Sequence, residues 1–97
     1  MIGTPGDIAL RAHEGEVHAV LVGEVDLDAV SRLKEERDHV GVVHAVDSSA
    51  LTFLDSSGLR FLLGLTALNP GIRLVDPSPV LLELLEITGT AGMFRVA

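Results

Sequence analysis

The sequence predicts an α/β domain: a mixed, mostly parallel β-sheet that opens with an antiparallel hairpin and is packed with three helices, in the order β-β-α-β-α-β-α-β. Three observations lead there. Two strand-like runs near the start are separated only by Glu14-Gly15-Glu16, helical and strand patterns alternate from Asp28 onward, and 16 Leu and 12 Val stand against three Phe with no Trp or Tyr. A gap that short forces an antiparallel hairpin. Alternating strands and helices give parallel crossovers, and small branched aliphatics suit the buried strands of such sheets. A chain of 97 residues makes one core, so residues 1–97 are one domain, with 1–7 expected as a flexible N-terminus.

The hairpin pairs Ile8–His13 with Val17–Val22. In the second run Val17, Ala19 and Leu21 fall on one face and His18, Val20 and Val22 on the other, so both faces are mostly apolar and the strand is expected in the sheet interior. From Asp28 to Val40 a narrow stripe of Ala29, Val30, Leu33 and Val40 among charged residues predicts a surface helix, stopped at Gly41. Val42–Val46 then reads as a buried parallel strand. Asp55 can cap a helix that runs to about Leu68, with Leu54 placed to staple onto Leu59. Apolar residues surround that helix except for Arg60 and Gly64, so it is either central or half-covered by a partner. Asn69-Pro70-Gly71 breaks it and Ile72–Val75 is a short strand. Ser78-Pro79 opens a third helix that ends at Gly89, and Met93–Val96 is the last strand.

Fourteen acidic against seven basic residues give a formal charge of −7 and no cationic footprint for nucleic acid or a membrane surface. The absence of cysteine excludes disulfides, thiolate metal sites and a cysteine nucleophile. No leader-like segment or membrane-spanning apolar run is evident, so a cytoplasmic location is expected. His13, Glu14, Glu16 and His18 crowd the hairpin turn, but the pleat is expected to scatter them, and no metal site is expected. His44 reads as a satisfied core or edge histidine, and His39 as a helix-end cation. Ser56 lies on a strand-to-helix turn without the Gly-x-Ser-x-Gly elbow of a hydrolase, and no phosphate-cradling glycine loop is present, so no catalytic residues and no cofactor are expected.

What remains is Asp55-Ser56-Ser57 at a helix start. Such residues satisfy orphan helix amides, and that alone can account for them. They can also form a regulatory site. A phosphoryl group on Ser56 would add about −1.5 to −2 charge at a helix N-terminus, which tolerates it, while repulsion from Asp55 and Asp26 would turn a docked partner away.

Leu51-Thr52-Phe53-Leu54-Asp55-Ser56-Ser57-Gly58-Leu59, preceded by Gly23-Glu24-Val25-Asp26 after a strand, resembles the STAS domain of bacterial anti-sigma factor antagonists over nearly the whole chain. The Asp-Ser-Ser-Gly-Leu run is the signature of the phosphorylatable members. The resemblance implies partner switching: the unmodified antagonist binds an anti-sigma factor with serine kinase activity and frees a sigma factor, phosphorylation reverses this, and a serine phosphatase restores it. Carried over residue by residue, Ser56 matches the phosphoserine, with Ser57 a lesser alternative. Asp26, Asp55 and Gly58 match residues that frame the docking surface, and Arg60 and Gly64 extend it along the helix. Relatives commonly continue into a further C-terminal helix. Its absence after Val96 would leave apolar surface open to self-association. The rival reading is a STAS scaffold or accessory subunit, in a stress complex or a transport system, that is not regulated by phosphorylation.

Overall fold

The computed structural model describes residues 6–36 and 41–96. Two strands, β1 (Asp7–His13) and β2 (Glu16–Val25), form the hairpin. After them come α1 (Leu27–Glu36), β3 (Ala45–Leu54), α2 (Ser56–Leu68), β4 (Arg73–Val75), α3 (Pro79–Thr88) and β5 (Arg95–Val96). The sheet order is β1-β2-β3-β4-β5, with the hairpin antiparallel and every later pairing parallel. A four-strand mixed sheet is thus extended at one edge by the two residues of β5. The hairpin turn sits at Glu14 and Gly15, both with positive φ, a conformation that glycine adopts at no steric cost.

The hairpin, the alternation and all three helices follow the expected order, and the differences lie at boundaries. Of residues 1–7, expected to be flexible, 1–5 lie outside the described residues; Gly6 is buried and Asp7 already pairs with Val22 in β1. Val40 and His39, assigned to the end of the first helix, also lie outside the described residues. Met93 belongs to a short 3-10 turn, Ala91–Met93, and only Arg95–Val96 is strand.

The largest difference is β3. Expected over Val42–Val46, it starts at Ala45 and runs to Leu54. Its pairing with β2 moves from Val20↔Asp47 to Val22↔Ala50 and from Gly23↔Leu51 to Glu24↔Phe53, so β3 carries an extra residue at each step. Such bulges break the two-residue alternation by which a strand is read from sequence. Asp47 holds the first one by accepting from the amide and hydroxyl of Ser49, at 3.0 and 2.8 Å. Ser48, fully buried, accepts from the Ser78 amide at 3.2 Å and so ties β3 to the start of α3.

The helices cover one face of the sheet. Ile8, Ala19, Leu21, Val25, Val46, Leu51, Leu54 and Leu74 point to that face and form one continuous core with Ala29, Val30 and Leu33 of α1, Leu62 and Leu65 of α2, and Leu81 and Leu85 of α3. Burying these aliphatic side chains supplies the main driving force for folding, at roughly 1.5 to 3 kcal/mol for each Val or Leu removed from water. β2 is interior to the sheet, as expected, but only one of its faces is buried: Val22 on the other face is 39% exposed. Leu62 and Leu65 anchor α2 while Arg60, Gly64, Ala67 and Leu68 face solvent, so the helix is half-covered rather than central.

Candidate functional site

Val25 and Leu54 are the last residues of β2 and β3, and they pair across the sheet. The chain therefore leaves both strands side by side and enters two helices at once. At each exit stands an aspartate. The Asp55 carboxylate accepts from the Gly58 amide at 3.0 Å, capping α2, and the Asp26 carboxylate accepts from the Ala29 amide at 3.1 Å, capping α1. The Asp55 amide donates to the Val25 carbonyl at 3.2 Å, which binds one exit to the other. With α1 packed against α2, two helix N-termini and their amides converge at the C-terminal ends of β2 and β3.

Ser56 is exposed at the first position of α2 and Ser57 is half-buried beside it. Among the described residues, no protein group hydrogen-bonds either hydroxyl. The capping is done by Asp55, which leaves Ser56 available to chemistry. Gly58 is buried, and the reason is packing: a Cβ there would lie 2.3 Å from the Leu54 Cδ1 and 3.2 Å from the Val25 Cγ1. Its role is to let α2 settle on the two strand ends, and it presents no side chain to a partner. Arg60 and Gly64 are exposed further along α2, and the space over Gly64 is empty, so a partner backbone has room to approach there.

The structure thus brings Asp26, Asp55, Ser56 and Ser57 together and extends the surface through Arg60 and Gly64. The capping role of Asp26 went unread in the sequence, although an aspartate three residues before Ala29 at the start of an apolar stripe is a local signal for it.

The hairpin residues are not scattered by the pleat as expected. The antiparallel register sets His13 opposite Glu16, and His18 lies two residues along β2, so all three share one face instead of being scattered. The His13 and His18 rings are 5.3 Å apart. The Glu16 carboxylate, however, accepts two hydrogen bonds from the Arg73 guanidinium at 3.0 and 2.5 Å, and His18 stands 3.3 Å away. Arg73, followed by His18, pulls the Glu16 carboxyl down to about 2. Its oxygens serve an ion pair that ties the hairpin to β4, and no metal-holding group of three is found among the described residues. His44 is satisfied as expected: its Nδ1 accepts from the Val17 amide at 2.9 Å.

No helix among the described residues is long and apolar enough to cross a membrane. No curated protein matches the chain. A family model described as "Mlab, STAS domain" matches residues 8–95, from the second residue of β1 to the start of β5. The paired strand exits with their two capped helices, the exposed serine between them and this match over nearly all of the chain agree: the protein belongs to the STAS domain family.

Proposed function

We propose that the protein is an anti-sigma factor antagonist that binds an anti-sigma factor with serine kinase activity, frees a sigma factor, and is switched off by phosphorylation of Ser56. It acts as ligand and substrate, not as an enzyme, in the cytoplasm, with a serine phosphatase resetting it. The observation that supports this reading is the division of labour at α2: Asp55 caps the helix, and the exposed Ser56 hydroxyl is left unused in the fold.

A phosphoryl group there sits at the N-terminus of α2, where the helix dipole favours negative charge, so the fold tolerates it. A docked partner does not, because the added charge sits beside Asp55 and Asp26 on the surface the partner covers. The test is peptide mass mapping of the protein isolated from its native host. The reading expects one phosphate on Ser56 in a fraction of the molecules and none on the Ser56→Ala protein. Unmodified Ser56 under every growth condition would favour the other STAS role, a scaffold or accessory subunit whose serines only begin a helix.

A further inference from the structure

The sheet has two edge strands, and they are built differently. One edge is β5, only two residues long. The other is β1, seven residues that pair with β2 alone in an unbroken register from Asp7↔Val22 to His13↔Glu16. Proteins guard edges of that length with Lys, Pro or a bulge, and Asp7-Ile8-Ala9-Leu10-Arg11-Ala12-His13 has none of them. The hairpin closes at His13↔Glu16 around two residues of positive φ, so His13, Arg11, Ala9 and Asp7 bond to β2, and the alternate residues Ile8 and Leu10 turn their amides and carbonyls outward. Among the described residues no group bonds to that outward side of Ile8 or Leu10. The Gly6 carbonyl just before them accepts from the Arg32 guanidinium, which ends the open stretch there. Ile8 points into the core, so Asp7, Ala9 and Arg11 lie on the face away from the helices. Asp7 and Arg11 are exposed, of opposite sign, and without an ion pair among the described residues.

We infer that β1 is the edge through which a second copy of this chain binds, strand to strand and antiparallel, about a two-fold axis at Ala9. In that register Ile8 of each copy faces Leu10 of the other and exchanges both backbone hydrogen bonds with it, while Asp7 of each copy faces Arg11 of the other. Asp7 and Arg11 then form a non-hydrogen-bonded pair, the kind in which opposing side chains stand closest, so the contact gains an opposite-charge pair on each side of the axis. Sliding one strand by two residues leaves Asp7 or Arg11 opposite Ala9, and sliding it by four sets Asp7 opposite Asp7 or Arg11 opposite Arg11. Charge therefore selects the register. It also selects the occupant: any strand can bond to an open edge, but this chain carries one whose charges answer its own. Each copy has a net charge of −7 and the contact is one strand wide, so the dimer forms only as the protein is concentrated. Asp26 and Ser56 are no part of it.

The test is sedimentation of the whole protein over a concentration series, with amide hydrogen exchange followed residue by residue. The wild type is expected to pass from monomer to dimer below about 1 mM, and the Ile8 and Leu10 amides to slow about fivefold as it does. Asp7→Arg and Arg11→Asp, each alone, set like charges opposite each other across the axis and should weaken the dimer about tenfold. The protein carrying both substitutions should regain it. A mixture of the two single variants should associate more tightly than either does alone, because their charges match across the axis. A wild type still monomeric at about 1 mM overturns the inference. So does a dimer that neither single substitution weakens, or one in which Ile8 and Leu10 exchange as they do in the monomer.

Discussion

At the scale of single residues, two aspartates and one serine divide the work at the strand exits. Asp55→Ala is expected to destabilise the domain by about 0.5 to 2 kcal/mol in urea unfolding, because the Gly58 amide loses its acceptor, and Asp26→Ala by a similar amount through Ala29. Ser56→Ala should stay within about 0.5 kcal/mol, since the fold does not use its hydroxyl. A large loss from Ser56→Ala would make the serine structural and remove the basis of the proposed switch. Glu16 offers a different test. Its carboxyl is held at about 2 by Arg73 and His18, below its ordinary 4.5, so the stability it adds is complete above about pH 4.5 and lost as the pH falls toward 2. Glu16→Gln should flatten the acid limb of a stability-against-pH curve in that window, and an unchanged acid limb would show that the ion pair contributes nothing there. The Asp55 cap was legible in the sequence because its partner lies three residues away. The pairing of Glu16 with Arg73 was not, because 57 positions separate them and only the sheet order joins them.

At the scale of elements, the hairpin, the crossovers and the three helices could be read because each rests on local spacing: a two-residue alternation, a helical stripe, Ser78-Pro79 before α3 and the left-handed Gly89 after it. β3 could not be read to its end. Its two extra residues shift the alternation twice, and the polar Asp47, Ser48 and Ser49 mimic a loop although Ser48 is fully buried. The register after the second bulge makes a sharp prediction about neighbours. Leu54→Ala should cost about 2 to 5 kcal/mol, because Leu54 lies in the core against Gly58, while Phe53→Ser should leave stability nearly unchanged. Comparable losses at the two positions in thermal unfolding would contradict the register described for the end of β3.

At the scale of the molecule, placing all three helices on one face has two consequences. It brings the N-termini of α1 and α2 to the same end of the sheet, where backbone amides favour added negative charge, and it leaves the opposite face without a helix. A fold so arranged can accept a phosphate without unfolding and still change what binds to it, which is the property a partner switch requires. The measurement that tests this most directly is capture from lysate of the native host by the wild-type, Ser56→Ala and Ser56→Asp proteins, with each captured partner assayed for ATP-dependent phosphorylation of Ser56. The account predicts that wild type and Ser56→Ala retain such a kinase and Ser56→Asp does not. Equal retention by all three, or no captured protein that phosphorylates Ser56, would contradict it.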